Sequence, residues 1–301
     1  MDLPLEGIIT PLVTPLNHQM DLNIPGLEKL IDHQLSGGVH ALFILGSTGE
    51  APSLGYQLRK EFIKKCCELV NKRVPVLVGI SDTVMETSIE ISGFAKLCGA
   101  DAVVVAPPFY YPLGEEEVIR YFEKLSPELA LPFLLYNLPG HTNINLTVKA
   151  VSRCKELGAV GIKDSSGDML YLYSLIEEFR DSPEFSIITG TEIFLPETIM
   201  NGGHGAVAGG ANLFPKLFVD LYQALIEGDM ETVSMLRNKV MMLYQTIYQV
   251  GKHPSRYLKA TKCGLSVLGI CEDHMAPPLH SFGQEEKKQI EDAMNQISLM
   301  R

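Results

Sequence analysis

At 301 residues the chain is long enough for one large barrel or two ordinary domains, because length over about 150 is a prior on domain number and not a count. Hydrophobic residues at 46% and charged residues at 20% place it among globular proteins and exclude a disordered chain. A net charge of −11 without any dense Lys/Arg block argues against a nucleic-acid or anionic-membrane surface, so an anionic substrate has to be held by local donors.

The opening Met1-Asp2-Leu3-Pro4 has neither a basic n-region nor an apolar h-region. No apolar stretch approaches the roughly 18 residues of a membrane span, and a cytoplasmic protein is expected. Short β-rich runs then recur: Gly7 to Val13, Val39 to Leu45, Val74 to Ile80, Asp101 to Ala106, Pro132 to Tyr136, Ala159 to Lys163, Phe185 to Thr189 and Gly205 to Gly209. Segments of helical period separate them. Leu58, Phe62, Ile63, Cys66, Leu69 and Val70, for example, mark one helix face buried against a sheet.

That alternation predicts parallel βαβ units. Eight of them before residue 220, with strands apolar throughout, fit a closed (β/α)8 TIM barrel better than an open doubly wound sheet. The open sheet would show a Gly-rich phosphate fingerprint after its first strand, and Ile8-Ile9-Thr10-Pro11-Leu12-Val13 lacks one. Beyond the eighth strand the pattern is helical only, over Lys216 to Ile226, Met230 to Val250, Pro254 to Leu265 and Gln284 to Ser298. The reading is therefore a barrel domain over 1–220 and a helical extension over 221–301 packed on it.

In such barrels the reactive groups gather where strands end and βα loops begin. Strand two ends in Gly46-Ser47-Thr48-Gly49-Glu50, strand four in Pro107-Pro108-Phe109-Tyr110-Tyr111, strand five in Tyr136-Asn137-Leu138-Pro139-Gly140, and strand six in Lys163. Desolvation disfavours an ammonium, so a lysine at the mouth of a buried strand suits attack on a carbonyl to form a Schiff base. The bland alternative is a lysine that ends a strand and pairs with Asp164 or Asp168. The glycines around Ser47 and Thr48 turn backbone amides outward toward a carboxylate, or make a plain turn. Tyr136 offers a phenol that can pass a proton, or a core ring with its tip in water.

Glu50 and Asp164 are not assigned as bases, because an acid just past a strand more often caps a helix. Neither the eight histidines nor the six cysteines have metal-ligand spacing, and most of the cysteines read as buried thiols. No metal and no cofactor is expected.

The strings Gly46-Ser47-Thr48-Gly49-Glu50, Tyr136-Asn137-Leu138-Pro139 and Gly161-Ile162-Lys163-Asp164, with the spacing between them, resemble the dihydrodipicolinate synthase and N-acetylneuraminate lyase family. The similarity runs from Gly7-Ile8-Ile9-Thr10-Pro11 through Gly203-His204-Gly205-Ala206-Val207 to Ala276-Pro277-Pro278-Leu279. The resemblance implies a (β/α)8 barrel with a C-terminal helical region, usually a homotetramer, acting on pyruvate or another 2-oxo acid and an aldehyde partner. By matched position, Lys163 would form the Schiff base and Tyr136 would carry protons. Ser47 and Thr48 would hold the pyruvyl carboxylate, and Val207 would touch the pyruvyl group through its backbone. Thr48 would also link Tyr136 to an aromatic residue of a neighbouring subunit, matched to Tyr110, with Phe109 or Tyr111 chosen instead by a gap of one residue.

The second substrate is where the chain departs from well-known patterns. In the synthases an arginine two residues after the proline of the Tyr-Asn-x-Pro block binds the distal carboxylate of aspartate semialdehyde; here His141 stands there. Losing one charged partner of a carboxylate typically costs about 1.5–3 kcal/mol, which counts against synthase activity. Of the neuraminate lyase polyol set, which expects an acidic pair and a serine, the chain keeps Glu192 within Thr191-Glu192-Ile193 but has Gly209 in place of the serine. The expected activity is a class I aldolase cleaving a 2-oxo-3-deoxy sugar acid or 4-hydroxy-2-oxo acid. The rivals are 4-hydroxy-tetrahydrodipicolinate synthase, a dehydratase, and a non-catalytic sugar-acid sensor.

Overall fold

The computed structural model describes residues 3–299. Eight strands run in chain order around a closed, wholly parallel barrel: β1 (Gly7–Pro11), β2 (Ala41–Ile44), β3 (Val76–Gly79), β4 (Ala102–Val105), β5 (Phe133–Asn137), β6 (Ala159–Asp164), β7 (Ser186–Thr189) and β8 (Gly205–Val207). Each falls within or one residue beyond the run expected from sequence. The barrel closes through Gly7 opposite Gly205, where a Cβ on Gly205 would come to 2.1 Å of the Gly7 carbonyl oxygen. Only glycine allows that approach.

The strands are apolar on both faces because both faces are buried, but the faces meet different partners. Ile9, Phe43, Leu77, Val104, Leu134, Tyr136, Ile188 and Val207 fill the barrel interior as one cluster. Their neighbours Ile8, Leu42, Val78, Val103, Leu135 and Ile187 pack against the surrounding helices in a second, larger one. The two-residue alternation of a strand produces this division.

The helices end as their sequences direct. Thr147 caps helix Val148–Glu156 by accepting from the Ala150 amide, and Asp168 caps helix Met169–Glu178 through the Leu170 and Tyr171 amides. Gly99 and Gly228 close helices Met85–Cys98 and Pro215–Glu227 in the left-handed conformation.

The expected C-terminal helices are present as Pro215–Glu227, Met230–Gln245, Arg256–Val267 and Gln284–Leu299. The second stops short of Val250 because the chain tightens into a 3₁₀ turn at Ile247–Gln249. Residue 220 lies inside helix Pro215–Glu227, so the boundary expected there falls within one element and not between two. No described helix is long and apolar enough to cross a membrane.

Candidate active site

Register brings the key pair together. On β5 and β6, Tyr136 stands opposite Lys163 and Asn137 opposite Asp164. Alternation turns the first pair into the barrel and the second toward the helices. The Lys163 amine, on a side chain in a residue only 6% exposed, lies 3.9 Å from the centroid of the Tyr136 ring and 5.0 Å from that of Phe43. Aromatic faces hold it in place.

Neither nearby acid is spent on this lysine. Asp164 accepts from Asn137 Nδ2 at 2.9 Å, from the Ser166 amide at 3.1 Å and from Ser166 Oγ at 2.9 Å. Asn137 in turn accepts from the Leu146 amide at 3.0 Å, which ties the ends of β5 and β6 into one network. Asp168 is the helix cap already described. The pairing alternative for Lys163 is therefore overturned by side-chain direction. Gly190 completes the fit: a Cβ there would fall 1.9 Å from Ser165 Oγ and 3.0 Å from Lys163 Cε.

The Tyr136 hydroxyl lies 3.5 Å from Ser47 Oγ. Burial pushes this phenol up, but the Lys163 charge and hydrogen bonds from Ser47, Lys163 and Ser165 outweigh it and hold the group below its ordinary value. A phenol so tuned gives and takes protons more readily at neutral pH. The hydroxyl that meets Tyr136 is that of Ser47; Thr48 lines the same cavity without a hydrogen bond to the phenol.

The turn that carries Ser47 and Thr48 is bracketed by two non-glycine residues in the left-handed region, Leu45 at φ 57° and Glu50 at φ 58°. Each such residue costs about 1–3 kcal/mol and persists only where its surroundings over-determine it. Glu50 is fully enclosed. It forms an ion pair with Lys262 of helix Arg256–Val267 and accepts from the Ala276 amide at 2.8 Å, while Lys262 donates to the His274 carbonyl at 2.6 Å. Glu50 thus pins the turn to the C-terminal extension.

These groups open on one cavity of about 410 Å³. Ser47, Thr48, Tyr136, His141, Lys163, Glu192 and Val207, all named from sequence, line it. Tyr110 does not. It is 82% exposed and lines a separate groove with Thr83, Pro108, Tyr111 and Leu113. Within one chain, then, Tyr110 is not brought to Lys163.

Burial and the Lys163 charge both push His141 down, so its imidazole is neutral at neutral pH. Burial raises Glu192 to about 7, although the Gly210 amide donates to its Oε2 at 2.7 Å. Its Oε1 is buried without a hydrogen-bond partner among the described residues. Tyr248, pushed up by burial and by Glu192, stands beside that carboxyl.

Sequence reasoning missed one wall altogether: Tyr244, Tyr248, Gln249, Arg256, Tyr257 and Thr261 line the cavity from the helical extension. The density of tyrosines in that extension was the available signal. Among the described residues no three His, Cys, Asp or Glu side chains gather as a metal-ligand group.

The model of the dihydrodipicolinate synthetase family matches residues 4–297. The chain belongs to this family. It is 32% identical to a putative 2-dehydro-3-deoxy-D-gluconate aldolase of Escherichia coli over 97% of both chains. It is also 32% identical to a 4-hydroxy-tetrahydrodipicolinate synthase of Methanoculleus marisnigri, over 95% of this chain and 97% of that one. Among solved structures, a dihydrodipicolinate synthase from Bacteroides thetaiotaomicron superposes with a TM-score of 0.94 at 48% identity, covering 98% of this chain and 100% of that one. The Escherichia coli family member YagE, solved in complex with pyruvate, superposes with a TM-score of 0.93 at 31% identity, covering 98% and 99%. Family membership accounts for the barrel, the helical extension and the Gly46–Glu50, Tyr136–Pro139 and Gly161–Asp164 blocks. An aldolase and a synthase stand at the same 32% identity, so the second substrate has to be argued from this chain's own residues.

Proposed function

We propose that the protein is a class I pyruvate aldolase that reversibly cleaves a 2-oxo-3-deoxy sugar acid or a 4-hydroxy-2-oxo acid to pyruvate and an aldehyde. The observation that carries this reading is the Lys163 amine held against the Tyr136 ring at the mouth of the barrel, with no acid paired to it among the described residues. Lys163 Nζ attacks the C2 carbonyl, the carbinolamine hydroxyl takes the Tyr136 proton and leaves as water, and a protonated imine and a Tyr136 phenolate remain. The C3–C4 bond then breaks with its electron pair drawn into the imine as an enamine, while the C4 hydroxyl proton passes to Tyr136 and the aldehyde departs. Tyr136 returns that proton to C3, and water hydrolyses the protonated imine to release pyruvate and the free lysine, its surplus proton restoring the Tyr136 phenol.

In this reading Ser47 and Thr48 hold the pyruvyl carboxylate through hydroxyls and turn amides, and the Val207 backbone faces the pyruvyl group. Glu192 offers its unpartnered Oε1 to a substrate hydroxyl. His141, being neutral, takes a hydroxyl or carbonyl and does not replace the arginine that the synthase pattern carries at this position. Tyr110 belongs to the neighbouring subunit's site in a homotetramer, and its exposure on this protomer supports that role. A cytoplasmic setting fits six unpaired cysteines, whose thiols burial pushes up.

The test is a panel of 2-oxo-3-deoxy sugar acids and 4-hydroxy-2-oxo acids, assayed for pyruvate and aldehyde in equal amounts. An oxo product without aldehyde points to the dehydratase. Condensation of pyruvate with aspartate semialdehyde at a comparable rate points to the synthase.

A further inference from the structure

We infer that Arg256 selects a second substrate carrying a negative charge at the end remote from the 2-oxo group, a terminal carboxylate or phosphate; this rests on the aldolase reading of the same cavity. Arg256 opens helix Arg256–Val267 and lines the cavity from the side of the extension, while Lys163 lines it from β6. Its guanidinium makes one hydrogen bond to a described residue, donated from Nη2 to Gln249 Oε1. Gln249 is itself oriented by donation from Nε2 to the Tyr244 carbonyl at 3.1 Å. The guanidinium has five N–H donors, so four are uncommitted among the described residues.

No described carboxylate pairs with it. Glu192 is the one acid among the described residues that lines the cavity, and its carboxyl is raised to about 7, while Asp164 and Glu50, behind the wall, are engaged with Asn137 and Ser166 and with Lys262. An arginine left without a counter-charge beside a half-buried wall of tyrosines matches a planar anion through two parallel N–H bonds.

The local backbone points the same way. Ser255 provides no side-chain cap, and Pro254, Arg256 and Tyr257 all line the cavity at the positive end of a helix of 12 residues. His141 stands at the position where a synthase would carry its arginine and is pushed toward neutrality by burial and Lys163. The cation for the far end of the substrate therefore comes from the extension and not from the loop after β5. A contact so placed acts on the leaving aldehyde and leaves the pyruvyl half untouched.

Three probes test this with the full-length protein: 4-hydroxy-2-oxoglutarate, with a terminal carboxylate; 2-oxo-3-deoxy-6-phosphogluconate, with a terminal phosphate; and 2-oxo-3-deoxygluconate, with a neutral end. Arg256→Gln should lower kcat/KM for the preferred anionic probe by about 10- to 100-fold, chiefly through KM, and leave the neutral probe within about twofold. Arg256→Lys should recover part of the loss. Comparing the two anionic probes shows which anion is meant. An equal loss on all three probes, or no loss on any, overturns the inference. Reductive trapping of pyruvate on the Arg256→Gln protein keeps the two claims apart: an intact adduct with unchanged selectivity defeats only the role of Arg256, whereas no adduct on the parent protein defeats the aldolase reading beneath it.

Discussion

The two sides of the cavity are built by different rules. On one side Tyr136 and Lys163 sit at fixed register on adjacent strands, with Asn137 and Asp164 locked behind them by hydrogen bonds of 2.9–3.1 Å. On the other, Tyr248, Gln249, Arg256 and Tyr257 come from the turns and helices that follow the barrel. A parallel ladder leaves its residues little freedom, which suits the strand side to the covalent chemistry proposed for it. In the proposed reading the helical side sets which substrate reaches that chemistry. The ion pair of Glu50 with Lys262 joins the two.

Breaking the strand side should have the largest effects. Lys163→Ala removes the only group proposed to bond to substrate, and turnover should fall to background in a pyruvate-release assay. Residual activity within tenfold of the parent would refute the imine. Tyr136→Phe keeps the ring that supports the lysine but removes the shuttle, so imine formation should persist while kcat falls about 10²–10⁴-fold. Parent-like kcat would show that another group moves the proton.

The joint between the sides should register in stability. Lys262→Met leaves the buried Glu50 carboxylate without its counter-charge, and a loss of about 3–5 kcal/mol is expected in denaturant unfolding. The double variant with Glu50→Gln should be less damaged than the sum of the singles. Additive losses would mean the two groups are not coupled.

The turn after β7, which faces the helical side across the cavity, gives a subtler signal through pH. The Glu192 carboxyl is raised from 4.5 to about 7, so the folded protein binds a proton there that the unfolded chain has released. The contribution is fully present below about pH 4.5 and is lost as pH rises through about 7, a span worth about 3 kcal/mol. Glu192→Gln should flatten the stability profile across that window. An unchanged slope between the two pH values would show that Glu192 does not titrate there.

Much of the strand side was legible in the sequence, and the reasons are physical. Eight apolar runs bounded by Gly, Pro and polar clusters are what a barrel with both strand faces buried requires, so Lys163 and Tyr136 could be set at strand ends and hence at one mouth. The reach of Ser47 to Tyr136 was not legible, because which of two adjacent hydroxyls turns inward depends on the left-handed backbone at Leu45 and Glu50. Nor was the Glu50–Lys262 pair, whose members lie more than two hundred positions apart. Arg256 sits in a helix whose pattern reports only burial of one face. Its place on the cavity wall follows from how the extension folds back over the barrel, which periodicity does not encode.

The most direct test is borohydride reduction of the protein with pyruvate, followed by intact-mass and peptide mass spectrometry. The account predicts one pyruvyl adduct per chain, on the peptide bearing Lys163 and absent from Lys163→Ala. An unmodified parent protein, or an adduct on another lysine, would contradict it.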